Sequence, residues 1–434
     1  MQKNQDCTIR QVIAREVLDS RGKPTLEAEV WLASGVWGRA QVPSGASTGQ
    51  FEACELRDND RQRYDGQGVL QAVTHVREII AAEIRGQDAR NQQLIDQRLL
   101  QLDGTPNKER LGANALLGVS LAVARAAASA NSLPLYKYLH ELLVIQQGDS
   151  LFPEPRMPLP MTNMISGGLH AGGNLDFQDV MIIPCGADNY RQGLEWIVRV
   201  YRRLGERLQS AGYEGRLVGD EGGYGPRLSS NVEAVEFVLQ AIEDAGLQPG
   251  ADISIALDVA ATHFLQEDGY YQLRSENSLR LESGQMIDLL EHWVDRFPIV
   301  SIEDGLSEDD WEGWRELTRR LGERVQLVGD DLFTTQAARV TRGIQEKAAN
   351  SVLVKVNQIG TLTEAFETMQ RARAAGFSLV VSARSGETED DLLADLAVAA
   401  AAEQIKIGSI VRSERLAKYN QLLRISESLE KPGD

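Results

Sequence analysis

Cysteine is almost missing from the 434 residues: Cys7, Cys54 and Cys185 stand far apart and never as CxxC. That pattern excludes a disulfide framework and a zinc knuckle alike. Basic side chains are outnumbered, 45 against 63 acidic, for a formal net charge of −18. Phosphate backbones select basic faces, so no nucleic-acid partner is expected. The field favours cations instead, divalent metals among them. No uninterrupted apolar run approaches the roughly 18 residues of a membrane span. The nearest, around 393–402, is broken by Asp395. The opening MQKNQDCTIRQ is polar and lacks the apolar stretch of a secretory signal. What is present, 42% hydrophobic and 25% charged residues, is the balance of a soluble globular protein. A cytoplasmic protein without membrane contact is expected.

The length exceeds one ordinary core, which predicts two domains or a barrel with an attachment. Short β-branched stretches at 9–18, 25–32 and 36–42, separated by Asp-Ser-Arg-Gly and Ala-Ser-Gly turns, read as strands. An Ala/Leu-rich helix follows over 107–130, its apolar face interrupted by Glu109, Arg110 and Arg125. LFPEPRMPLP (151–160) holds four of the 13 prolines. Such a stretch neither continues a helix nor enters a central strand. A linker over 141–160 therefore divides an α+β domain, 1–140, from the rest, 161–434. Beyond it, apolar runs at 253–258, 298–303, 325–330, 352–355, 378–382 and 405–406 alternate with helical patterns. Their ends recur about every 25 residues, the rhythm of βα units and of a parallel β/α barrel. Chemistry in such a barrel sits at the C-terminal ends of the strands. The last residues, 426–434, are polar and expected to fray.

Asp258, Glu303 and Asp330 end three of these runs. Converging on one mouth, they repel one another unless a cation lies between them, and hard oxygen ligands suit Mg²⁺. The plainer reading is that each carboxylate caps the helix that follows. Lys355 and Lys406 end two further runs, either as salt-bridge partners of those acids or as a base with a lowered pKa. Three glycine-rich loops are present: SGASTG (44–49), SGGLHAGG (166–173) and DEGGYG (220–225). Glycine allows close approach to an anion and freedom at a hinge. None is a GxxxxGK[ST] loop. His170, inside the second loop, reads first as a surface histidine. Arg384 and Ser385, just past a strand, make a plausible anion fork.

With AREVLDSRGKPTLE (14–27), PSGASTG (43–49), LGANALLGVSLAVARAAA (111–128), VGDEGGYGP (218–226) and ALDVAA (256–261), the sequence resembles enolase. SIED (301–304), VGDDLF (328–333), KVNQIGTLTEA (355–365), RSGETED (384–390) and RSERLAKYNQLLRI (412–425) extend the resemblance over nearly the whole chain, in order. It implies a small α+β N-terminal domain followed by an enolase-type eight-stranded α/β barrel, TIM-like, whose first units are irregular. It also implies Mg²⁺-dependent dehydration of 2-phosphoglycerate, with two ions per site and the second arriving with substrate. By motif position, Asp258, Glu303 and Asp330 resemble ligands of the first ion, and Ser47 the lid residue that reaches the second. Lys355 matches the base and Glu221 the general acid. Asp179 stands where a glutamate assists that acid. Lys406 matches the lysine on the substrate carboxylate, while Gln178, Arg384 and Ser385 match substrate-binding positions. His170 matches the histidine of a mobile loop. A homodimer or larger ring is also implied.

The departures gather around the same pocket. Ala383 replaces the histidine that precedes RSGETED, and Asp179 is one methylene short of the usual glutamate. Leu169 and Ser166 stand where the family has serine and asparagine, His263 where it has glutamate, and Gly305 where it has proline. Three readings stay open. One is an ordinary enolase that has drifted. Another is a non-catalytic binding or scaffold homologue. The third is a relative whose phosphorylated or phosphonylated glycerate-type substrate carries another group on phosphorus, as for carboxyphosphonoenolpyruvate synthase of phosphonate pathways.

Overall fold

The computed structural model describes residues 6–45, 49–145 and 151–430. Strands β1 (Ile9–Leu18), β2 (Pro24–Leu32) and β3 (Trp37–Gln41) form an antiparallel meander. The central strand β2 is buried along nearly its whole length. The acids on its other face stay paired: Glu29 lies 2.7 Å from Arg15, and Glu27 contacts the same guanidinium. The helix Ala113–Ala130 crosses the meander and also touches barrel helices. By length and composition alone it is apolar enough to cross a membrane, yet 89% of it is buried inside the protein. Small side chains let it pack closely against strands on one side and helices on the other.

This helix begins six residues later than its sequence pattern suggests. The Asp103 carboxylate accepts the backbone N–H of Thr105 (3.0 Å) and Leu111 (2.7 Å), and Lys108 adopts φ +58°. Residues 104–112 are thus a loop turned around a buried carboxylate, and Glu109 and Arg110 are not on the helix. The helix Leu135–Ile145 runs past residue 140, and the barrel's first strand opens at Leu159. The last two residues of the proline-rich stretch, Leu159 and Pro160, thus lie in a barrel strand after all, paired with Gln404 and Ile405.

Strands β4 (Leu159–Ser166), β5 (Asp179–Ile183) and β6 (Ser254–Asp258) open the barrel. A hairpin of β7 (Tyr271–Leu273) and β8 (Leu279–Leu281) then stands outside it. Strands β9 (Ile299–Glu303), β10 (Gln326–Gly329), β11 (Ser351–Val354), β12 (Ser378–Ser382) and β13 (Gln404–Gly408) complete the closed eight-stranded ring. Each of these last five is followed by a helix. Met161, Met181, Ile183, Ala256, Val328, Leu353 and Val380 fill the interior. Below them Gln326 Nε2 donates to Ser351 Oγ, Ser378 Oγ and Gln404 Oε1, closing the floor with hydrogen bonds.

The ring is not wholly parallel. β5 runs against both neighbours, with Asp179 opposite Ser166 of β4 and Asp258 of β6. A reversed strand brings its first residue, rather than its last, to the mouth. At the chain's end the helix Ser413–Glu430 continues through the stretch expected to fray from 426. Ile425 and Ser426 are buried and Tyr136 Oη lies 3.1 Å from Ser428 Oγ, so packing holds it.

Candidate active site

The mouth is built from strand ends. Asp258 and Glu303 are the last residues of β6 and β9, and Asp330 follows β10 directly. All three are buried. Lys355 follows β11, whereas Lys406 lies inside β13, which runs two residues beyond the end read from the sequence. Lys406 Nζ lies 2.6 Å from Asp258 Oδ2 and 2.7 Å from Glu303 Oε2. Lys355 Nζ contacts Asp330 Oδ2, while Gln358 Nε2 donates to Asp330 Oδ1 (2.9 Å). Gln178 Nε2 donates to Asp258 Oδ2 (3.0 Å). None of the three acids serves as a helix cap, so the plainer reading of them gives way.

Burial penalises every charge here, and the pairings decide the outcome. Burial and the neighbouring Asp258 push the Glu303 carboxyl well up. Against burial, Lys355 holds Asp330 low, and Asp330 in turn raises Lys355. Burial opposes the charge on Lys406 too, but Asp258 and Glu303 raise it well above the ordinary lysine range. Among the described residues, Glu303 Oε1 has no hydrogen-bond partner, and neither have Gln178 Oε1 and Asn163 Oδ1 of the same mouth. An acceptor left bare among carboxylates, all of them hard oxygen donors, fits a divalent cation. Asp304, Asp330 and Asp331 also bring ligand atoms close together, with Asp304 accepting the N–H of both Asp330 (3.0 Å) and Asp331 (2.8 Å). Ser47 lies outside the described residues.

A second group lines the same mouth. His170 sits on a short 3₁₀ turn, Gly168–Ala171, and is buried rather than on the surface. The reason is its partner: His170 Nδ1 lies 2.9 Å from Asp179 Oδ2. Its Nε2 is 3.8 Å from Glu221 Oε1. Burial works against the imidazolium, but Asp179 and Glu221 raise its pKa to about 9. Burial likewise raises Asp179, and His170 opposes that rise. Glu221, despite burial, is held down at about 2 by His170, Arg415 and the two lysines. Asn163 Nδ2 donates to Asp179 Oδ1. Glu221 can approach β13 because Gly408, at φ +100°, has no Cβ; one would lie 2.9 Å from the Glu221 carbonyl.

The fork lies past β12. Arg384 is buried, with Nη1 donating to Glu52 Oε2 (3.0 Å) and Asn357 Oδ1 (3.0 Å) and Nη2 to Glu52 Oε1 (3.2 Å). Arg21 Nη1 donates to Ser385 Oγ (3.3 Å). Arg415, wholly buried, donates to the carbonyls of Arg384 and Ser385, both at 2.7 Å. Ala383 is also buried, its N–H bonded to the Lys406 carbonyl at 2.8 Å. Sequence reasoning singled out neither Glu52, Asn163, Arg21 nor Arg415. Arg415 and Arg21 stand in motifs already noted, RSERLAKYNQLLRI and AREVLDSRGKPTLE, and that membership was the one signal that could have found them.

Compared with known families, residues 9–139 match the model of the enolase N-terminal domain, and residues 154–433 match that of the enolase C-terminal TIM barrel domain.

Proposed function

The chain belongs to the enolase family, and from that premise we propose that this enolase-type hydro-lyase dehydrates 2-phosphoglycerate or a close analogue modified at phosphorus. The carrying observation is the mouth itself, where Lys406 bridges Asp258 and Glu303 and leaves Glu303 Oε1 bare. Asp258, Glu303 and Asp330 would hold one Mg²⁺ and Ser47 the second. Mg²⁺ held by these residues would supply positive charge to neutralise a substrate carboxylate as charge builds on it.

The chain's own groups divide the remaining work. Lys355 removes the proton from the carbon beside the carboxylate, and as a free amine it must first shed the proton that Asp330 holds on it. Burial, Arg384 and Lys406 all press toward that loss. Lys406 and Gln178 orient the carboxylate. Glu221 protonates the departing hydroxyl, which leaves as water. His170, whose Nε2 lies 3.8 Å from Glu221 Oε1, is its titratable neighbour in this step, and Asp179 fixes the imidazole through Nδ1. Arg384 and Ser385 hold the phosphorus group.

Ala383 favours the modified substrate as the second reading. It is a methyl side chain, buried directly before the fork, at the position where the family has an imidazole. A smaller wall leaves volume for an added carboxylate on phosphorus, and Leu169, half exposed on the His170 loop, reshapes the rim. The test is turnover of 2-phosphoglycerate with Mg²⁺, followed by enolpyruvate absorbance, wild type beside Ala383→His. Rapid wild-type turnover identifies an ordinary enolase. Slow turnover that rises at least tenfold in the variant identifies a retuned pocket. Silence from both while Mg²⁺ still binds would sink the catalytic reading in favour of a binding protein.

A further inference from the structure

The Arg384 guanidinium does not meet its ligand alone. Three of its N–H donors go to Glu52 and Asn357, and the Glu52 carboxylate is itself fixed by other donors. Its Oε1 accepts the Gly49 N–H (3.1 Å) and Gln358 Nε2 (3.3 Å). Gln358 also donates to Asp330, so one amide joins the fork to the carboxylate mouth. The backbone beside Glu52 is pinned too. Phe51 stacks under the Arg339 guanidinium at 3.9 Å, and Gln336 Nε2 donates to the Phe51 carbonyl. The Glu52 side chain is only 9% exposed.

We propose that Glu52 is the positioning residue of the anion fork: it holds the Arg384 guanidinium in one plane and offsets its charge, so that the fork selects ligands by shape more than by charge. A carboxylate clamped by three parts of the protein is a fixed element of the site. Its negative charge, hydrogen-bonded to the guanidinium, weakens that group's attraction to any anion, while its bidentate geometry fixes the plane in which the guanidinium lies. The inference rests on the assignment of Arg384 to the phosphorus group, and the test separates the two.

The experiment is calorimetric binding of inorganic phosphate in the presence of Mg²⁺, with kcat for 2-phosphoglycerate measured on the same proteins. Glu52→Gln keeps one acceptor and loses the charge. It is expected to bind phosphate about tenfold more tightly while kcat falls at least tenfold. Glu52→Asp keeps the charge on a shorter stem and is expected to hold wild-type phosphate affinity with reduced kcat. A residue of merely structural importance would lose affinity and kcat together, and that result overturns the inference, as would phosphate affinity unchanged in Glu52→Gln. If the wild type turns nothing over, the phosphate measurement alone decides. Arg384→Met is the control. Phosphate binding that ignores it removes the fork assignment itself, and this inference falls with it.

Discussion

Lys406 is the only cation that the described residues place on both Asp258 and Glu303, so its ammonium stands where two buried carboxylates need positive charge. Removing one partner of a buried pair leaves the other uncompensated, at a cost of about 3–5 kcal/mol. Lys406→Met should therefore lower the denaturation midpoint in the absence of metal. Because a cation can take over the ammonium's electrostatic role, Mg²⁺ should raise the midpoint of the variant more than that of the wild type. Equal Mg²⁺ shifts in the two proteins would show that the cation does not sit at these acids. The strand-end acids and lysines were legible because each closes an apolar run, and only the mouth of a barrel gives such residues common company. Glu52 was not legible. It meets Arg384 across 332 positions of sequence, and nothing in its local context distinguishes it from a surface glutamate.

Strand β3 and the helix Ala113–Ala130 show how tightly elements fit where small residues face one another. Gly38 lies so close to the helix backbone that a Cβ there would sit 2.3 Å from Ala126 N and 2.4 Å from Ala122 O. Those are backbone atoms, which cannot swing aside. Gly38→Ala should thus cost at least the roughly 1–3 kcal/mol usual for overpacking, seen as a lower midpoint in urea. A midpoint unchanged within error would mean that strand and helix separate freely. Periodicity found the three meander strands and six barrel strands, β6 and β9 to β13, because each is a short apolar run bounded by polar residues. It passed over the reversal of β5, since strand direction leaves no trace in a two-residue period; that is why Gln178 and Asp179 entered through family resemblance alone. It also overran the start of the helix. A helical pattern continues through 107–112, but the Asp103 carboxylate captures two backbone N–H groups there.

The two domains are joined by polar contacts, half-buried and buried, as well as by packing. Arg125 lies 2.7 Å from Asp390 and 2.8 Å from Asp391, and Lys108 lies 2.7 Å from Glu364. Asp96, fully buried on the helix Gln92–Asp103, accepts Thr363 N (3.0 Å) and Thr363 Oγ1 (2.6 Å) from the barrel and Gln92 Nε2 (3.0 Å) from its own helix. No cation of the described residues pairs with it, so burial raises its pKa from 3.8 to about 6, and these hydrogen bonds only partly oppose the rise. The sign follows from linkage. Between pH 3.8 and 6 the folded protein holds a proton that the unfolded chain has released. The contribution of Asp96 to stability is therefore fully present below pH 3.8 and is lost as pH rises through 6. At about 1.4 kcal/mol per pKa unit the whole change is about 3 kcal/mol, and roughly half of it falls between pH 5 and 8. Asp96→Asn cannot ionise and escapes this loss. Urea unfolding of both proteins at pH 5 and pH 8 should show the variant gaining on the wild type as pH rises. A difference independent of pH would mean that the carboxylate is already ionised at pH 5 and that the joint holds a charge without penalty.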